Sequence, residues 1–238
     1  MRIIIVGQGN VACNLLAAFQ KKGITAPMVS SWTGLEDIPQ NADVYIYAVA
    51  DNALEEVINK VHVPQRALHV HTSGTIPMSV FGPDKPHCGI MYPFQTFSKA
   101  QLIEDFSTVP VFIEARGIDD ISAVYTLALT LTPRVYETTQ EDRERLHVAG
   151  VFANNFSNHM FAIAQDILKD THIPFSALLP LIEQTAQKIK VLSPRDAQTG
   201  PAIRGDEAVM AHHLSLLKTE EQRALYKLIS EQIATSRN

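Results

Sequence analysis

The sequence predicts an α/β protein: a doubly wound parallel sheet followed by an all-helical C-terminal region. Three observations carry this. The first residues, M-R-I-I-I-V-G-Q-G-N-V-A-C, are a short β-branched run that breaks at Gly7 and resumes with helical spacing. Strand-like apolar runs then alternate with helical patterns as far as residue 137. Beyond Thr139 nearly every pattern is helical, with breaks at Pro174, Pro180, Pro194 and the Gly200-Pro201 pair. The division predicts two domains, residues 1–138 and 139–238.

Ile3, Ile4, Ile5 and Val6 show no polar alternation, as expected of a strand buried on both faces of a parallel sheet. Gly7 permits a tight turn, Gly9 lets backbone approach a diphosphate, and Ala12 is the third small position, where helix meets strand. Asn10 and Val11 open a helix over residues 10–22 whose free N–H groups and positive dipole end face that diphosphate. Strand, glycine turn and helix together form the dinucleotide fingerprint of a Rossmann sheet. The second strand is expected near Pro27 to Ser31. About 20 residues beyond the glycines an acidic side chain would hold the ribose of NAD, but Ser30, Ser31, Trp32 and Thr33 stand there. With no carboxylate to repel a 2′-phosphate and hydroxyls to bind one, the cofactor reads as NADP, with NAD left open; no arginine supports the choice.

Asp43 to Val49 is the next buried strand, and Asp51 reads as the N-cap of the helix carrying Leu54, Val57, Ile58 and Val61. Ala48, Val49 and Asp51 lie at the carboxyl end of that strand, the edge where such sheets bind ligands, and are expected to touch the cofactor. In Ala67 to Gly74 (A-L-H-V-H-T-S-G), Leu68 and Val70 share one face and His69 and His71 the other. The histidine spacing could suit a metal, but no third ligand lies near in sequence, and no metal is expected. Ser73 either binds a substrate oxygen or nicotinamide amide, or caps the next turn; Gly74 joins it in the cofactor set. Gly89 to Pro93 reads as a strand entering a loop and Phe94 to Phe97 continues it, Val109 to Glu114 is another strand, Asp119 to Leu131 a helix, and Val135-Tyr136 the last strand.

The first helix of the C-terminal region runs from Glu141 to about Lys169, with Ala149, Phe152, Ala153, Phe156, Met160, Ile163 and Ile167 as its apolar stripe. At 3.6 residues per turn His147, Asn154 and Asn158 fall within about 20° of one line, and Asn155 roughly 80° away. Asparagine is a poor helix former, so at least one of these is kept for hydrogen bonding; the asparagines either bind substrate, or pack against another subunit or cap loops. In T-G-P-A-I-R-G-D-E-A-V-M-A-H-H-L, residues 199–214, Asp206 reads as an N-cap with His213 two turns on. Arg204 either clamps a carboxylate or phosphate or pairs with Asp206 or Glu207.

With 238 residues, 46% of them hydrophobic, the chain can bury a full core. A net charge of −5 without a basic cluster argues against nucleic acid and anionic membranes. No apolar run reaches about 18 residues, and residues 1–6 read as a strand rather than a signal peptide, so a cytoplasmic protein is expected. Cys13 and Cys88 read as reduced, small apolar fillers.

The segments G-Q-G-N-V-A, A-V-A-D-N-A-L-E-E-V (48–57), H-T-S-G (71–74), P-F-Q-T-F (93–97) and T-G-P-A-I-R-G-D with H-L (199–214) resemble those of Rossmann-like proteins carrying the domain of unknown function 2520. These are distant relatives of pyrroline-5-carboxylate reductase and 6-phosphogluconate dehydrogenase. The resemblance implies a Rossmann domain followed by a helical dimerisation domain, with an NAD(P)-dependent oxidoreductase activity; the leading expectation is a homodimer that reduces a small polar carbonyl or imine. His147 and Asn155 match polar positions of the group. Two positions depart from it: Tyr92 replaces the usual histidine before Pro93, and Val151 stands four residues before Asn155, where related hydroxyacid dehydrogenases have lysine. On this reading Tyr92 or His147 delivers a proton and Ser73 and Asn155 hold the substrate. Arg204, Asp206 and His213 line or brace the substrate cleft. The alternative is a nucleotide-binding module without turnover, serving redox sensing or dimerisation.

Overall fold

The computed structural model describes residues 1–235, which divide into two compact units, Met1–Asn154 and the residues from Asn155 onward. The first unit holds a seven-stranded sheet of order β2-β1-β3-β4-β5-β6-β7. Its strands are β1 Ile3–Val6, β2 Met28–Val29, β3 Val44–Tyr47, β4 Leu68–His71, β5 Cys88–Pro93, β6 Val111–Ala115 and β7 Val135–Glu137. The central strands I-I-I-V, V-Y-I-Y and L-H-V-H are buried along their whole length. Their alternate residues feed two cores. Ile3, Ile5, Ile46 and Val70 pack with Leu15 and Phe19 of α1 (Asn10–Lys21), and with Val124 and Leu127 of α3 (Ile118–Leu129). Ile4, Val6, Tyr45 and Tyr47 pack on the other face with Leu54, Val57 and Ile58 of α2 (Asp51–Lys60). Helices on both faces make the sheet doubly wound.

Every strand pair is parallel except one. β5 and β6 run antiparallel, Gly89 opposite Ala115 and Pro93 opposite Val111. A parallel return needs a crossover of a dozen or more residues, usually a helix. The connection across residues 94–110 carries only the 3₁₀ turn Phe106–Thr108, so the chain turns back instead. Phe94–Phe97 therefore lie in a loop and do not prolong β5.

The predicted helix over residues 141–169 is interrupted. α4 (Gln140–Gly150) passes into a π-helical segment, Val151–Phe156, and then into α5 (Ser157–Leu168). A π turn bonds i to i+5, so the 3.6-residue arithmetic that aligned His147 with Asn154 and Asn158 does not run through it. In the second unit follow α6 (Leu179–Lys188), α7 (Pro201–Arg204), α8 (Glu207–Leu216) and α9 (Glu220–Thr235). Pro201 opens α7, and Gly205 closes it at φ +70°, a left-handed turn that disfavours a side chain. Among the described residues of this unit Ala202 alone is buried. No helix among the described residues is long and apolar enough to cross a membrane.

Candidate functional site

β1 pairs with β2 on one side and β3 on the other, so the sheet order reverses at β1. In open α/β sheets ligands bind beyond the carboxyl ends of the strands at such a point. A cleft of about 800 Å³ lies there. Gly9, Asn10 and Val11 line it from the first turn of α1, and Ala48, Val49 and Ala50 from the end of β3. Gly7 is required by geometry: its φ is +122°, and a Cβ would stand 2.3 Å from the Ala48 carbonyl oxygen. Gly9 is the extended N-cap residue of α1, with no side chain to cover the helix end, and Ala12 is fully buried behind it.

Ser31 and Trp32 also line this cleft, and Trp32 is 84% exposed. With Ala53 and Glu56 they line an adjoining cavity of about 500 Å³ that Lys60 and His62 enter as well. Ser30 lines neither; its Oγ accepts from the Trp32 N–H at 3.2 Å and shapes the turn. Asp51 is not the N-cap of α2. Ala50 fills that place without a side-chain bond, and the Asp51 carboxylate accepts from the Thr75 hydroxyl at 2.8 Å. An aspartate inside the first turn still meets the positive helix end, which is why the motif read as a cap.

Beyond β4 and β5, a second set of side chains meets. The Tyr92 hydroxyl lies 3.1 Å from Nδ1 of His147 on α4. Both press on Gly74, where a Cβ would stand 2.6 Å from His147 Nδ1 and 2.8 Å from Tyr92 Cζ. Burial pushes the Tyr92 hydroxyl up to about 12, with Arg143 pulling it down and Asp51 pushing it up. Ser73 acts as the turn-capping residue: its Oγ accepts from the N–H groups of Thr75 at 3.1 Å and Ile76 at 3.0 Å. A hydroxyl has two lone pairs and one proton, so Ser73 keeps only its O–H for a ligand. His69 and His71 are buried in aromatic company: His69 Nδ1 meets the Tyr47 hydroxyl at 2.9 Å, and His71 Nδ1 accepts from the Ser73 N–H at 3.2 Å. Burial holds both imidazoles down, to about 3.

The remaining candidates lie in the second unit. Asn155 is exposed on the π segment. Asp206 caps α8, its Oδ1 accepting from the Val209 N–H at 3.2 Å. His213 Nδ1 meets the Tyr226 hydroxyl at 2.9 Å, tying α8 to α9. Arg204 is exposed and, among the described residues, forms no ion pair with Asp206 or Glu207.

Three residues escaped the sequence reading. Arg143 is fully buried, although within E-D-R-E-R it reads as one charge of a solvated face. Its signal is the one-turn spacing to His147. Lys99 lines the larger cleft because its loop is strapped to α1: its N–H donates to Asn10 Oδ1 at 3.1 Å. Asn14, a poor helix former in mid-helix, completes the strap. Its amide donates to the Ser98 carbonyl at 3.0 Å, and its Oδ1 accepts from the Ile103 N–H at 2.8 Å.

No curated protein matches the chain. A candidate NADP oxidoreductase from Bacteroides fragilis is 38% identical, with 98% of both chains covered and a TM-score of 0.91. A Thermotoga maritima protein matches at 20% identity over 98% of both chains, TM-score 0.73. An imine reductase from Myxococcus stipitatus, solved with NADP⁺, matches at 13% identity, covering 99% of this chain and 92% of its own, TM-score 0.61. These last two similarities are of fold alone. The family model of the domain of unknown function 2520 matches residues 109–233, more than half the sequence, and the chain belongs to that family.

Proposed function

We propose that the chain is an NADP-dependent oxidoreductase that reduces a small polar carbonyl or imine compound. The observation that carries this is the cleft at the β1/β3 reversal, with the uncapped first turn of α1 on one wall and Gly7 allowing β3 to close on the other. Its walls suit a dinucleotide: backbone N–H groups and Lys99 for the diphosphate, and Trp32, Ser31, Lys60 and His62 for an adenosine bearing a 2′-phosphate. Lys60 is tied to Glu56 at 2.5 Å, which offsets the one carboxylate shared by the two cavities. The relatives' names support the same reading.

A bound dinucleotide supplies the hydride. The chain supplies the proton. Tyr92, neutral at ordinary pH, donates its hydroxyl proton to the substrate atom that gains charge, and His147 Nδ1 returns one to the phenolate oxygen. The Ser73 O–H orients the substrate. In the second unit, Arg204 offers a fork to an acidic group, Asp206 caps α8 and His213 ties α8 to α9.

A second copy is proposed to cover the helical unit, where Leu181 is 65%, Val191 83% and Leu216 62% exposed. Light scattering should then return twice the 26.3 kDa chain mass. The principal test uses Trp32, the single tryptophan, as reporter. NADPH should quench its fluorescence saturably and more tightly than NADH. Absence of saturable binding by either would remove the oxidoreductase reading.

A further inference from the structure

The Tyr92–His147 pair rests on a charge that plays no part in the chemistry proposed above. Arg143 precedes His147 by one turn on α4, and its side chain has no exposure. Nη1 lies 3.4 Å from the Ser73 carbonyl oxygen, and Nη2 lies 3.3 Å from Glu114 Oε2. Both are long for charge-assisted bonds, which prefer about 2.7–2.9 Å. Among the described residues the Nε–H has no partner, and neither has Nε2 of the neighbouring His71. Since His71 Nδ1 accepts from the Ser73 N–H, its ring proton sits on that unpartnered Nε2.

A buried guanidinium held by two long bonds and missing a third is poorly arranged to stabilise a fold. Replacing a buried ion pair by apolar side chains is often neutral or favourable. Glu114, 19% exposed, could return to water if Arg143 were lost. What the arrangement does hold is position. Ser73 is gripped at its N–H by His71 and at its carbonyl by Arg143, while Ser73 Oγ accepts from the N–H groups of Thr75 and Ile76. The adjacent Gly74 is the surface against which His147 and Tyr92 are pressed, with no room for a methyl group.

We infer that Arg143 is a positioning residue for the Tyr92–His147 pair, fixing α4 against the Ser73–Gly74 turn so that His147 Nδ1 stays on the Tyr92 hydroxyl. This rests on the reading of that pair as the proton source, but its test does not require turnover. In the full-length chain with ¹⁵N-labelled histidine, the ring-nitrogen signals of His147 report its hydrogen bond, and Tyr92→Phe gives the signature of a lost partner. Arg143→Met should reproduce the Tyr92→Phe signature while its unfolding midpoint stays within about 4 °C of the parent, roughly the effect of 1 kcal/mol in a domain of this size. Arg143→Lys, which keeps the charge but not the fork, should move the signals part of the way. Affinity for NADPH, read from Trp32, should be unchanged in both variants.

Parent-like His147 signals in a folded Arg143→Met or Arg143→Lys protein would overturn the inference. So would unfolding of both variants, or an NADPH affinity lowered about tenfold in step with the signals, since either assigns Arg143 to the fold at large. Failure of the parent protein to bind NADPH would sink the oxidoreductase reading instead, and the His147 comparison would still decide the role of Arg143.

Discussion

Gly74 has no positive φ, yet its missing side chain is what lets Tyr92 and His147 meet over it. Gly74→Ala must push one ring away. The expected outcome is a folded protein less stable by about 1–3 kcal/mol, the usual cost of overpacking, with the Tyr92-dependent His147 signal lost. Denaturant unfolding and the histidine spectrum check the two parts separately. His69 and His71 give a residue-scale expectation of another kind. Burial, with a smaller push from Lys85 on His69 and from Arg143 on His71, holds both at about 3 in the fold against 6.5 in the free chain. Above pH 6.5 the imidazoles are neutral folded or unfolded, and their contribution is complete. Between 6.5 and 3 only the unfolded chain takes up the protons, so stability falls as pH falls, by up to about 1.4 kcal/mol per pH unit for each histidine. Urea midpoints measured from pH 7.5 downward should show this slope, and His71→Gln should remove about one proton from it.

Among the elements, the strap between α1 and the loop after β5 is the one with a direct functional readout. Asn14 makes two of its bonds and Asn10 a third, and together they deliver Lys99 to the cleft. Asn14→Ala should cost about 1–3 kcal/mol in stability, the penalty of losing bonds to buried backbone groups. It should also weaken NADPH binding, and Lys99→Ala should weaken it about tenfold and flatten its salt dependence. Unchanged affinity in Lys99→Ala, by the Trp32 titration, would remove the lysine from the diphosphate site. This strap was not legible in the sequence: F-Q-T-F has the aromatic content of a strand, and nothing in its composition says that the chain reverses after Pro93. Strand direction is likewise uncoded locally, which is why the antiparallel β6 emerges only with its short connection in view. The glycine turn was legible because a required backbone conformation leaves its mark in residue identity, as at Gly7. Arg143 was not, since a charge on a helix looks the same whether it faces water or a sheet edge. The π segment was hidden for a related reason, because a periodicity argument assumes the very period that the segment abandons.

At the scale of the molecule the two halves differ in how far they satisfy themselves. The first unit closes two cores around its sheet, whereas of the described residues beyond Asn154 only Ala202 is buried. Met160, Ile163, Ile167, Leu225 and Ile229 do gather around a small apolar cavity of about 260 Å³, but other apolar side chains, Val191 and Leu181 among them, remain exposed. The consequence concerns dosage. If that surface is completed by a like molecule, folding of the helical half is a bimolecular event, and its melting temperature should climb as the protein is concentrated and drop on dilution. A midpoint independent of concentration across two decades would mean that the half stands unaided. Otherwise the number of copies a cell makes would help set whether any one of them is folded.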